Sequence, residues 1–317
     1  MRSFYLLALC TALAACQKTI PVKPYAQAIE GIAEQSAKSI DYFRVVDQER
    51  ALQNLLSYPG EQEATKQELT LEQISAIKEK IINEKNAQFN AAATLQDYAK
   101  LLEKIDDADT KDEIKSSIDK LREEGEKAIE AINKLGIIDT KLDMDKVKNI
   151  QKFLLAIADL RLNELKNVLL TQLVTDADPA VAALVDILLD TEESAEFLLC
   201  VQARTLAHAI RDYNLNLAAT PSWMKQREAL QNVLALDQQV VETHAYYERN
   251  VQALTAVKQT HHDLAASLST HKWDNAMLQR WTKQLNALGA QYQQAVLRTP
   301  DALNVAQYYE QHCRRTF

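Results

Sequence analysis

The sequence predicts an all-α protein, an elongated multi-helix bundle of long antiparallel amphipathic helices with heptad-like seams. Three observations carry that expectation. Glycine occurs 5 times and proline 6 times in 317 residues, too few for the tight turns of sandwiches, propellers or Rossmann sheets. Apolar residues recur at helical rather than alternating spacing over long segments. Two capping boxes, Thr70-Leu71-Glu72-Gln73 and Thr110-Lys111-Asp112-Glu113, mark helix starts, because a threonine hydroxyl and a Gln or Glu side chain satisfy each other's free backbone donors.

The elements follow in order. A first helix is expected from about Pro24 to Ser57, with Ile29, Ile32, Ile40, Phe43 and Val46 facing inward and Pro59-Gly60 stopping it. A second starts at Thr70 and reaches Asp106. A third opens at Thr110, where Ile114, Ile118, Leu121, Gly125, Ala128, Ile132 and Leu135 step alternately by 4 and 3, a heptad seam ended at Gly136. The short link between the second and third predicts an antiparallel hairpin. A fourth helix is expected from Asp143 or Asp145 to about Thr175. Asp178-Pro179 reads as N-cap and first-turn proline of a fifth, running through Cys200 to about Leu217. Thr220-Pro221 repeats that signal before a very long stretch to Ser269, kinked or unbroken. A helix over about 273–297 and a short one from Thr299-Pro300-Asp301 complete the chain.

Net charge is −8, and acids outnumber bases in both halves. A nucleic-acid binder shows a basic stripe. The only basic pair of note is Arg314-Arg315, so nucleic acid is not an expected partner.

The amino terminus fixes the expected compartment. Arg2 is followed by an apolar run from Phe4 to Leu13, then by small residues and Cys16. Such a stretch reads as a secretion leader, too short for a permanent membrane span. The tetrad Leu13-Ala14-Ala15-Cys16 resembles the lipobox of bacterial lipoproteins. That resemblance covers the first sixteen residues only. It implies cleavage before Cys16 and acyl chains on the Cys16 sulfur, each buried methylene adding about 0.8 kcal/mol of membrane affinity. Gln17 in place of an aspartate implies the outer membrane, periplasmic face, in a host with two membranes. The expected organisation is a leader over 1–15, a lipidated polar tether over 16–23 and a helical domain over 24–317. That domain would be either two layers, 24–176 and 177–317, or one continuous body. With Cys10 removed and Cys16 acylated, Cys200 and Cys313 remain. In an oxidising compartment they are expected to pair.

The sequence contains no clustered-glycine phosphate loop, G-x-S-x-G, H-E-x-x-H, C-x-x-C or E-x-x-H, so neither catalytic residues, a metal site nor a cofactor is assigned. His208/Asp212 and His244/Glu248 are i, i+4 couples, read as local contacts rather than zinc ligands, since the chain reversal near residue 220 sets them out of register. His261 and His262 point about 100° apart and suit one metal poorly. The Trp273, Met277, Trp281 stripe reads as core packing, with an aromatic ligand wall as the alternative. Around Asp176 the sequence suggests an apolar helical hairpin with an acidic tip. Burial between other helices or use as a protein contact is the reading preferred over membrane entry, and Leu169, Leu170, Leu173, Val174, Val181, Leu184 and Val185 are the hairpin's candidate partner-contact residues. Neither arm reaches the roughly 18–20 apolar residues of a membrane span.

The function expected from these readings is a membrane-anchored periplasmic lipoprotein. Its helical bundle would be a non-enzymatic protein-binding scaffold or accessory subunit for an envelope protein. The alternatives are a membrane-active, pore-forming helical protein using the 168–189 hairpin, and a small-ligand binder or enzyme in the C-terminal half.

Overall fold

The computed structural model describes residues 20–55, 71–107, 110–136, 144–160, 162, 166–189, 191–218, 222–295, 308 and 313. Among these are eight helices and no strand: α1 (Lys23–Leu55), α2 (Leu71–Asp107), α3 (Lys111–Gly136), α4 (Met144–Ala158), α5 (Lys166–Leu189), α6 (Thr191–Ala218), α7 (Trp223–Ser269) and α8 (Asn275–Ala295). The all-α bundle is the fold. The last expected helix, from Thr299, lies outside the described residues apart from Tyr308 and Cys313.

α5 is the axis of the assembly. It packs on α4, α2 and α7, while α1 packs on α2, α8, α6 and α7. α2 and α3 lie against each other as the short link demands, and the Thr110 hydroxyl accepts from the Glu113 amide (3.4 Å) at the start of α3. The heptad seam of α3 is buried at Ile114, Ile118, Leu121, Ala128 and Ile132. At Gly125 a Cβ would come within 2.7 Å of the Leu154 side chain, so glycine is what lets α4 approach α3 there.

The largest departure from the sequence reading is at Asp178-Pro179. There is no hairpin: α5 runs unbroken through both residues. Proline inside a helix forfeits the bond from its nitrogen to the carbonyl four residues back and costs about 3 kcal/mol. Here that carbonyl belongs to Thr175, which is exposed, as is Pro179, so water can take the bond. The neighbouring Val174, Ala177, Ala180 and Val181 are all buried, and their burial outweighs the local penalty. The seven candidate partner-contact residues, Leu169, Leu170, Leu173, Val174, Val181, Leu184 and Val185, are correspondingly core residues, each 3% exposed or less. They face neighbouring helices and offer nothing to an outside protein. α5 is long and apolar enough to cross a bilayer by composition; that apolar character is spent on the core.

The chain breaks elsewhere instead. The expected fourth helix ends at Ala158, where the Asp159 and Leu160 amides turn back onto Ala156 and Ile157 carbonyls. No glycine or proline marks the spot. Leu160 and Leu162 pack against the core through the reversal, so tertiary burial sets the break.

One hydrophobic cluster runs from Ile20 to Leu285. A two-layer division at 176/177 would cut through α5 and through this core, so those boundaries do not describe the molecule. A second, smaller cluster joins α6 and α7 through Leu199, Ala203, Leu206, Val240 and Val241. The expected tether over 16–23 does not extend to Lys23, because Ile20 and Val22 are already buried, at 3% and 0% exposure; residues 16–19 lie outside the described residues.

Candidate functional site

Three consecutive residues of α7 reach three different helices. Successive helical side chains lie about 100° apart, so a run of polar residues deep in a bundle meets different neighbours. Thr260 meets α1: its hydroxyl donates to the Ala256 carbonyl (2.8 Å) and accepts from the Tyr25 hydroxyl (3.2 Å). His261 meets α2 and α5 together. Its Nε2 lies 2.7 Å from the Tyr98 hydroxyl and its Nδ1 3.2 Å from Asp178 Oδ1. His262 meets α5, with Nδ1 2.9 Å from Asp178 Oδ2. One assignment of protons satisfies every atom. Both histidines donate from Nδ1 to the carboxylate, and Tyr98 donates to the free Nε2 of His261.

Burial sets the electrostatics. Tyr25, Tyr98 and His261 are fully buried. Burial lowers the His261 pKa from its ordinary 6.5, against the opposing pull of the Asp178 bond. His262, exposed to water, is raised by its bond to the same carboxylate. Asp178 resists its own partial burial and is held below the ordinary carboxylate value by hydrogen bonds from both imidazoles. Burial pushes both tyrosine hydroxyls far up, so each stays a neutral donor.

A tyrosine–histidine–aspartate chain is also a proton relay on paper. Chemistry requires a reacting atom beside it and a space to hold that atom. The packing around His261 is solid: Tyr98 makes edge contacts with the Phe153 ring at 5.8 Å and with His261 itself at 5.4 Å. The arrangement therefore does the work of a lock, tying α1, α2 and α5 to α7. A further rung lies one turn before it, where Lys258 Nζ meets Asp186 Oδ1 of α5 at 2.6 Å.

No family model, curated protein or solved structure matches the chain.

The expected pair Cys200 and Cys313 lies at disulfide distance, with Cα atoms 5.2 Å apart. It brings Cys313, near the end of the chain, onto α6 beside the second cluster, where Tyr308 also packs. His244 and Glu248 make the local contact expected of them, at 3.7 Å, and the His244 ring packs edge-on against Tyr308 at 5.2 Å. His208 and Asp212 are both exposed. Among the described residues, no three His, Cys, Asp or Glu side chains converge as a metal group. Trp273 and Trp281 pack on the main core, as the core-packing reading has it. Cys16 lies outside the described residues.

The α1 pole has its own geometry. The Ile20 amide donates to Asn167 Oδ1 (3.3 Å) and the Lys23 amide to Asp106 Oδ2 (3.1 Å). A carboxylate from the last turn of α2 thus caps the first turn of α1, favourable for the helix dipole. Lys23 Nζ pairs with Asp107 and with Glu103. A cavity of about 140 Å³ lies here, lined by Ile20, Ile105, Asp106, Lys166, Asn167 and Leu170.

The sequence reading missed the lock at residues 260–262. A signal was present. Leu254, Val257, His261, Leu264 and Leu268 step by 3, 4, 3, 4, so His261 stands on an apolar seam, where an imidazole must find partners. Asp178 was hidden by its proline, which made it look like a helix cap.

Proposed function

We propose that the chain is a lipid-anchored protein of the bacterial envelope, held at the periplasmic face of the outer membrane through Cys16. Its helical bundle serves as a non-enzymatic scaffold or accessory subunit for an envelope protein. The observation that carries this reading is the fixed α1 pole. Ile20 is buried and hydrogen-bonded to Asn167, only four residues beyond Cys16. An extended chain spans at most about 3.6 Å per residue, so acyl chains on Cys16 would hold that pole within about 14 Å of the bilayer. So short a leash keeps that pole of the bundle at the surface. α7 alone, at 47 residues, is about 70 Å long.

The lock at residues 260–262 supports the scaffold over the enzyme, because Thr260 and His261 are enclosed and bonded to Tyr25, Tyr98 and Asp178, and His262, at the surface, bonds the same carboxylate. The chain's net charge of −8 argues against nucleic acid as the partner. The test is affinity capture of the native acylated protein from detergent-solubilised envelopes, with Cys16→Ser in parallel. The expected result is one protein recovered in fixed stoichiometry and loss of the Cys16→Ser form from the membrane fraction. Equal membrane retention of both forms, or no stoichiometric partner in several detergents, contradicts the reading.

A further inference from the structure

Among the described residues, most large apolar side chains left in water are not scattered. Ile210, Leu215, Trp223, Met224, Leu230 and Leu234 are between 42% and 71% exposed, and all lie on the distal part of the α6–α7 hairpin. Such a patch marks an interaction site. On α7 it has a register. The face of α7 that meets α6 runs through Val233, Leu236 and Val240. A second seam lies about 110° around the helix from it, through Trp223, Arg227, Leu230, Leu234, Asp237 and Val241. Its steps are 4, 3, 4, 3, 4, a heptad seam that no other described helix covers. Trp223 is 67%, Leu230 42% and Leu234 60% exposed. Val241, at 7%, marks where the bundle closes over the seam.

The seam is self-complementary when reversed. Centred on residue 232, an antiparallel second helix of the same sequence sets Leu230 opposite Leu234 and Arg227 opposite Asp237, with each pairing occurring twice; the buried Val241 ends the accessible seam. Apolar residues meet apolar ones and the only two charges on the seam meet with opposite sign. A parallel copy would set Arg227 against Arg227 and Asp237 against Asp237, a like-charge arrangement that disfavours it. Two-fold symmetry requires that a surface match itself in this way. In the single chain the Arg227 guanidinium rests over the Trp223 ring at 5.6 Å, within reach of its place in the pair.

We infer that the distal half of α7 is a homodimer interface, in which Leu230 and Leu234 pair antiparallel with Leu234 and Leu230 of a second copy and Arg227 pairs with Asp237. This inference does not depend on the lipid anchor or on the scaffold reading.

Sedimentation equilibrium tests it on the whole chain carrying Cys16→Ser, over a series up to about 100 µM. The expected mass is twice the 35.8 kDa of one chain. Leu230→Lys/Leu234→Lys, placed on an exposed face, is expected to sediment as a monomer with unchanged helical circular dichroism. Arg227→Asp and Asp237→Arg are each expected to weaken the dimer at least tenfold, and the double exchange to restore it. A monomeric parent chain overturns the inference. So does a dimer that survives the lysine pair, and so does a double exchange that fails to rescue, since either shows that another surface or another register holds the copies together.

Discussion

At His271 the backbone takes φ 56°, the one left-handed non-glycine residue among those described. It sits just past the end of α7. Its amide bonds to the Leu268 carbonyl (3.1 Å) and that of Lys272 to Ser267 (2.9 Å), the paired closure that usually recruits glycine. A side chain there costs about 1–2 kcal/mol, and glycine's extra freedom in the unfolded chain gives back about half. His271→Gly is therefore expected to raise unfolding stability by about 0.5 kcal/mol and His271→Val to lower it by more than about 1 kcal/mol, read from urea midpoints. Gly125 presents the opposite case. Alanine would favour the α3 helix by about 1 kcal/mol but drive its methyl to 2.7 Å from Leu154, and overpacking costs about 1–3 kcal/mol. Gly125→Ala is expected to destabilise by about 1 kcal/mol. In a Leu154→Ala background it is expected to stabilise, because the obstructing atoms are gone. Equal effects in both backgrounds would show that the contact does not matter.

Among the elements, α7 binds the bundle together, and its histidines make that binding depend on pH with opposite signs. His261 has a lowered pKa, so its contribution is complete above the unfolded value of about 6.5 and is lost as pH falls below it. His262 has a raised pKa; its contribution is complete below about 6.5 and is lost as pH rises through the folded value. His262 is exposed and screened by water, while His261 is fully buried, so the His261 slope dominates. Stability is expected to rise from pH 5 to 7 in the parent chain, to rise more steeply in His262→Gln and to fall in His261→Gln. Denaturation midpoints across that range check the order, and an unchanged slope in His261→Gln would contradict it. Asp178→Ala strands two imidazole donors, one of them buried, and is expected to cost about 1–3 kcal/mol. The pair Cys200–Cys313 closes 113 residues, worth up to about 4–5 kcal/mol in the chain-entropy limit. A urea midpoint unmoved by reductant, with two titratable thiols in the unreduced chain, would show that the bond is absent.

Much of this scale was legible in the sequence. The caps at Thr110 and the seam of α3 are local signals, and the α3 helix follows them. Heptad spacing likewise announced the burial of Ile114 to Ile132. Asp178-Pro179 misled because the local signal was overruled from a distance: α5 is surrounded by helices, and the burial of Val174 to Val185 outweighs one lost backbone bond. The reversal after Ala158 was invisible for the converse reason, since nothing in Asp159 to Leu162 breaks a helix and only the packing of Leu160 and Leu162 turns the chain. The lock at residues 260–262 needs partners from α1, α2 and α5, which no local spacing reveals.

For the molecule as a whole, one core running from Ile20 to Leu285 ties the α1 pole to the far helices. The two ends differ in character. The α1 pole is closed by the Asp106 cap and the Lys23 pairs, while the α6–α7 tip is open and apolar. Trp223 lies about 55 Å along α7 from Thr260, the residue that meets Tyr25. An antiparallel dimer centred on residue 232 would set two α1 poles about 80 Å apart, one at each end of a rod, so two lipid anchors could not share one end of the particle. The central claim, that this rod is leashed to a bilayer at its α1 pole, is met most directly by intact and N-terminal peptide mass spectrometry of the native protein from its own membranes. The expected result is a chain that starts at Cys16 and bears fatty acyl mass on that residue. A chain that still carries residues 1–15, or one whose Cys16 bears no lipid, would contradict it.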